Sequence, residues 1–346
     1  MSTAFAPDRM LRDRGIGQEL GAFVVAAAFD RAGTTAAFAL GDGTLRLASL
    51  GSREWPSVAA HGGGALTLAP DGAGGFLSGG DDGRLLRVSP DGTVATLAEY
   101  GMKWVEHVAS FSDAKSNLLA CSVGKAVHLF DAAGTLLRSL PHPSTVTGIA
   151  FDARGKRIAA SHYGGASLWF VASKSDTPRA LEWKGSHTGI AISPDGDSVV
   201  TSMQENALHG WRLSDTQHMR MSGYPSKSAA IGFTRSGKWL ASSGAESVVL
   251  WPFFGGGPMG KAPTELAGGE NVLCTMLACH PLAEAVAAGF SDGAVAMVDV
   301  GTGRILAVAG PGRGAVSAMA WNAEGTHLAF GTETGFAAMV DFTKRS

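Results

Sequence analysis

The chain has 346 residues, a formal net charge of −2, and 45% apolar against 17% charged residues. This balance supports a large buried core, excludes a disordered chain, and lacks the basic excess of a nucleic-acid-binding domain. The 48 glycines follow no period of three, so they point to many turns joining short strands rather than to a collagen-like repeat.

Three scattered cysteines, Cys121, Cys274 and Cys279, imply no disulfide framework and fit a reducing compartment. Cys274, Cys279 and His280 match no standard zinc spacing. No apolar run approaches the ~18 residues of a membrane span, and the N-terminus has no secretory apolar segment. The expectation is a cytoplasmic protein with no membrane or nucleic-acid partner and no cofactor.

In chain order, residues 1–14 read as an N-terminal arm and 15–346 as a single domain. The stretch GIGQELGA, residues 15–22, precedes the first small-residue run, VVAAAF. A motif of one apolar residue, three further residues and glycine then recurs: FDRAG from Phe29, LAPDG from Leu68, FDARG from Phe151, ISPDG from Ile192, FTRSG from Phe233 and WNAEG from Trp321. Degenerate copies fill the gaps at Phe111 (FSDAK) and Cys279 (CHPLA). The steps between the eight anchors are 39, 43, 40, 41, 41, 46 and 42 residues.

Each anchor is followed by a short apolar run, a Gly-rich or Asp-Gly turn and a second run, the pattern of a β-hairpin. A more polar third run follows most pairs, as in TVATLAE and RALEW, and reads as an outer edge strand. A small-residue run such as VTGIAF precedes each anchor and reads as an inner strand, where glycine and alanine suit a crowded centre. Four short antiparallel strands in ~41 residues is the signature of a β-propeller blade.

The chain resembles the WD-repeat family over roughly residues 16–345. The resemblance rests on the phase of SPDG in the first hairpin, of SG and DG in the second, and on a Trp or Phe-Asp ending the third strand. Copies of that ending are SLWF at Ser167–Phe170, Gly210–Trp211, Leu250–Trp251 and Leu129–Asp131. No Trp-Asp dipeptide is intact, and the Gly-His pair is weak, with His61, His142 and His187 near its place. The family's Asp-His-Ser-Trp network is therefore expected to be incomplete in most repeats. Trp169, Trp211 and Trp251 fall where the family packs Trp between blades.

Eight anchors predict eight four-stranded blades, with seven as the alternative. The last repeat lacks an outer strand, and residues 15–22 are placed to supply it, removing an open sheet edge. The sixth repeat carries an insertion, residues 252–269, whose two phenylalanines suit either a partner contact or a loop folded onto the wall.

There is no GxSxG elbow or Walker loop, and GGGP and GPGRG lack the setting that phosphate cradling needs. Carboxylates at Glu106, Glu205, Glu246, Glu270 and Glu333, one per loop, leave a propeller hydrolase or lactonase with a channel-mouth metal as the alternative. The main reading is a non-catalytic scaffold that binds a protein or peptide through its loop face, because hot spots favour Trp, Tyr and Arg. Loops entering the inner strands supply Lys103, Trp104, Trp183, His187, Tyr224, Lys227 and Arg313. Second-hairpin turns supply His162, Tyr163, Gln204, Glu205 and Phe290.

Overall fold

The computed structural model describes residues 8–175 and 177–344; half of the predicted arm, residues 1–7, lies outside them. The chain is an all-β propeller. Inner strands neighbour one another in sequence around a ring: Val24–Phe29, Ala65–Pro70, His107–Ser112, Val146–Phe151, the second half of Arg179–Ile192, Ile231–Phe233, Cys274–Cys279 and Val316–Trp321, which returns to Val24–Phe29. They surround a cavity of about 340 Å³ lined in part by Thr67, His107, Thr147, Thr188, Ser202 and Ala230.

Among the described residues the strands form seven hydrogen-bonded sheets, six of four strands and one of six. The expectation of eight separate four-stranded blades is corrected to seven sheets. The degenerate copies are not the cause, since both lie in regular hairpins. The fourth and fifth repeats instead share the six-stranded sheet through two unbroken 14-residue strands, Arg157–Phe170 and Arg179–Ile192. The first of these doubles back at Tyr163–Gly164, and the Val171 N–H donates to Lys156 O at 2.9 Å beside its start. The second runs from the outer edge of the fourth repeat to the centre of the fifth, where it pairs with Ser198–Met203.

Closure follows the sequence reading. Gly15–Glu19 pairs antiparallel with Phe336–Asp341, from Gly15 opposite Val340 to Glu19 opposite Phe336. First and last segments therefore complete one sheet. The described part of the arm is a helix, Arg9–Arg14. Its Leu11 is buried among Ala287, Val295, Val308 and Val316 of the seventh and eighth repeats.

Neighbouring repeats meet at a tight seam. The first residue of an inner strand, or the one leading into it, packs on a small residue in the second strand of the previous repeat. A Cβ on Gly331 would lie 2.3 Å from Val24 Cγ1, and one on Gly289 2.4 Å from Val316 Cγ1. One on Gly79 would lie 2.5 Å from Val105 O. In six inner strands the register slips by one residue at this level, leaving Val25, Leu66, Thr147, Thr188, Thr275 and Ser317 as bulges. Hydroxyls on three of these cross the seam. Thr275 Oγ1 donates to Val316 O at 2.7 Å, Ser317 Oγ to Val24 O at 2.6 Å, and Thr147 Oγ1 to His187 O.

The third-strand tryptophans fill the outer part of the same seams. Trp169 packs among Ala120, Leu129 and Leu140 of the third repeat, and Trp211 among Ala159, Leu168 and Leu181 of the fourth. Trp251 packs against Val200, Leu208 and Met221 of the fifth.

Gly331→Ala tests the seam. One methyl must displace Val24 from the first–last junction, so unfolding free energy is expected to fall by about 1–3 kcal/mol. Chemical denaturation measures this, and an unchanged midpoint would show that the seam has slack.

Candidate functional site

Loops entering inner strands and second-hairpin turns share one face of the ring. His61 N–H donates to Gly43 O, Tyr100 N–H to Gly83 O, His142 N–H to Lys125 O and Gln204 N–H to Ser186 O. The turns reach this close because they lack side chains. Gly43 and Gly83 take φ of 84° and 76°, and a Cβ on either would lie 2.0 Å from the carbonyl oxygen of Gly63 or Gly101.

The sequence-predicted residues divide on this face. Trp104 is 55% exposed and Tyr163 68% exposed, on loops of successive repeats. Lys103, Gln204, Glu205 and Lys227 are exposed too. Trp183 is half-buried and lies flat on His209, with ring centroids 4.0 Å apart at 12°. The Glu205 carboxylate accepts the Ser186 N–H at 3.0 Å.

Five expected contact residues are corrected. Tyr224 is only 8% exposed: its hydroxyl lies 2.5 Å from Ser242 Oγ and accepts the Trp251 indole N–H at 2.6 Å. His187 is buried, with Nε2 3.0 Å from Trp183 O and Nδ1 2.6 Å from Thr201 Oγ1. His162 is buried, with Nε2 2.9 Å from Ser167 Oγ. Phe290 ends a strand and is fully buried in the seventh repeat. Arg313 pairs with Asp8 and lies 4.9 Å over the Phe336 ring, so it holds the N-terminal helix on the ring. Loop phase alone does not separate a side chain pointing outward from one closing the sheet beneath.

The buried hydrogen-bonded groups beneath these loops differ from repeat to repeat. In the second repeat His61 Nε2 lies 2.9 Å from Ser78 Oγ and Nδ1 3.0 Å from Asp82, with no Trp. In the fourth the Trp169 indole donates to His142 Nε2 at 3.2 Å. Tyr100 takes the equivalent place in the third, 3.7 Å from Cys121 Sγ and stacked on His128 at 4.8 Å, and Tyr224 takes it in the sixth.

The exposed charges are unevenly placed. Lys103, Lys125, Lys184 and Lys227 occupy the loops of the third to sixth repeats, beside the exposed aromatics. Exposed Glu205 and Glu246 and half-buried Glu106 stand among them, whereas exposed Glu270, Glu333 and Asp42 and half-buried Asp292 and Asp81 occupy the loops of the seventh, eighth, first and second. Sequence reasoning missed Met102, 97% exposed beside Lys103, and the pair Lys184 and Arg220, which share a groove with Tyr163 and Trp183. Arg220 sits in HMRMS, whose alternation of polar residues with methionine was the available signal.

The insertion lies between the third and outer strands of the sixth repeat, outside this set of loops. It folds onto the wall: Phe253 meets Phe233 at 4.9 Å, Phe254 meets Trp239 at 5.2 Å, and Lys261 lies over the Phe254 ring. Among the described residues no three His, Cys, Asp or Glu side chains are grouped to hold a metal ion, and no helix is long and apolar enough to cross a membrane.

No family model matches the chain, and no curated protein matches it. Among solved structures it is similar to the computationally designed Ika8 protein. The TM-score is 0.74 at 20% identity, covering 94% of this chain and 99% of that one. This likeness shows the propeller fold, which many unrelated functions share.

Tyr224→Phe leaves the Trp251 N–H and the Ser242 hydroxyl without their buried partner. A loss of about 1–3 kcal/mol in chemical denaturation is expected, whereas a surface role for Tyr224 would leave stability unchanged.

Burial pushes His142 down to about 4 and His209 down to about 3, with neighbouring histidines adding repulsion. Both stay neutral while the unfolded chain's histidines take up protons near pH 6.5. Their stabilisation is complete above that pH and is lost as pH falls toward 4, by at most about 1.4 kcal/mol per pH unit for each. Urea midpoints between pH 7 and 4 should show this decline, and His142→Asn or His209→Asn should flatten part of it.

Proposed function

We propose that this chain is a non-catalytic, WD-repeat-like scaffold that binds a protein or peptide on its loop face in the cytoplasm. The carrying observation is the pair Trp104 and Tyr163, more than half exposed on loops of successive repeats, within an arc of exposed lysines. Large aromatics left in water on a rigid frame are the residues that dominate binding energy once a partner covers them. The hydrogen-bonded sheets beneath hold these loops in place, so recognition needs little change of shape.

Affinity capture from native extract with the whole chain as bait tests this reading. Trp104→Ala and Tyr163→Ala should each weaken capture of a specific partner about 30-fold, the effect of losing ~2 kcal/mol. Neither should shift the melting temperature. Undiminished capture by both variants would overturn the loop-face assignment.

A further inference from the structure

Where the fourth and fifth repeats meet, a groove of about 300 Å³ opens, lined by Tyr163, Trp183, Lys184, Met203, Glu205 and Arg220 among others. Its aromatic wall is pre-set. Trp183 is stacked on His209, which meets Trp211 edge-on at 4.8 Å and whose Nε2 lies 2.9 Å from His218 Nδ1. The indole is thus held on one side by a layer of rings, and its remaining surface is available to the groove.

The charges around that wall are unmatched. Among the described residues neither Lys184 nor Arg220 forms an ion pair. Among the described residues that line the groove, Glu205 is the one carboxylate, and it accepts the Ser186 N–H. Two cations against one anion leave the groove net positive. It lies within the arc of the third to sixth repeats, where Lys103, Lys125, Lys184, Arg220 and Lys227 outnumber Glu106, Glu205 and Glu246, while Asp42, Asp81, Glu270, Asp292 and Glu333 stand on the loops of the other repeats. A field of this shape draws an acidic segment toward the groove and repels it from the opposite loops.

We propose that this groove binds an acidic peptide segment of the partner, with an apolar or aromatic side chain on Trp183 and Tyr163 and a neighbouring carboxylate paired with Lys184 and Arg220. The proposal rests on the loop-face reading above and adds the chemistry of the segment bound. Charge complementarity selects the occupant, because a basic segment would meet two cations and a single carboxylate that already accepts a backbone bond. The aromatic wall adds area at little entropic cost, since Trp183 is already immobilised.

The test uses the full chain and two short end-capped peptides, one alternating glutamate with phenylalanine and one with lysine in place of glutamate. Calorimetric titration and tryptophan fluorescence give the affinities. The acidic peptide should bind at least about tenfold more tightly, and rising salt should erode the difference. The double variant Lys184→Glu, Arg220→Glu should reverse the preference, whereas Glu205→Gln should strengthen acidic binding about two- to threefold, as expected for one partly screened charge. Both altered cations are exposed, so an unchanged melting temperature confirms that each variant folds.

Equal affinity for the two peptides, or a double variant that keeps the acidic preference, would overturn the proposal. So would concentration-dependent dimerisation abolished by Arg220→Glu, which would assign the groove to a second copy of this chain. The two readings fail separately. Partner capture that depends on Trp104 and Tyr163 without any acidic preference removes only the groove chemistry. An acidic preference in the groove with capture indifferent to Trp104 and Tyr163 removes only the wider loop-face assignment.

Discussion

The ring depends on the seam between neighbouring repeats. At Gly79, Gly289 and Gly331 there is no room for a Cβ, because Val105, Val316 and Val24 of the next repeat occupy that space. Elsewhere the corresponding position is also small, as at Ser161 and Ser202, opposite Gly148 and Gly189. Close approach of this kind lets dispersion and apolar burial act between neighbouring sheets, joined besides by a few backbone bonds such as Gly244 N–H to Cys274 O at 2.9 Å. The bulges add direction. By displacing one residue from the ladder they turn Thr147, Thr275 and Ser317 toward the next repeat, where each hydroxyl finds a carbonyl. Each seam constrains the next, so the ring closes only if all are met.

Closure has two layers. The backbone layer is the Gly15–Glu19 strand, which covers the edge of Phe336–Asp341. The side-chain layer is the N-terminal helix, held by Leu11 in an apolar pocket and by the Asp8–Arg313 ion pair. An open edge strand exposes unpaired backbone groups and invites association. Segments from both ends of the described chain remove that edge.

The buried polar network explains why several chemically suggestive residues are structural. Histidine, tyrosine, serine and threonine recur between the first and second strands because the loop backbone must be tied to the sheet beneath it. His61 does so through Ser78, Tyr224 through Ser242 and Trp251, and His187 through Thr201 and the Trp183 carbonyl. A buried hydroxyl or imidazole is tolerated when paired. The loops above are consequently stiff, and the exposed residues they carry sit in defined places.

Much of this was legible in the amino-acid order alone. The spacing of the anchors, the Asp-Gly turns and the small-residue inner runs determine an all-β propeller, the order of its strands and its closure by the segment 15–22, of which Gly15–Glu19 forms the strand, because local turn chemistry and period-two patterning are properties of neighbouring residues. The placing of Trp169, Trp211 and Trp251 between repeats came instead from the family resemblance, through their position at the end of the third strand. The division into seven sheets was not, since it depends on two strands running unbroken past a tight turn and a short connection. Nor was the fate of individual loop residues. Trp104 and Tyr224 occupy equivalent loops, yet one faces water and the other closes a buried pair of hydrogen bonds. Phe290 and Tyr163 differ in the same way. Which side of a loop a residue presents, and that Arg220 of His218–Ser222 reaches the groove of Trp183 and Lys184, is decided by contacts between repeats that only the closed ring brings together.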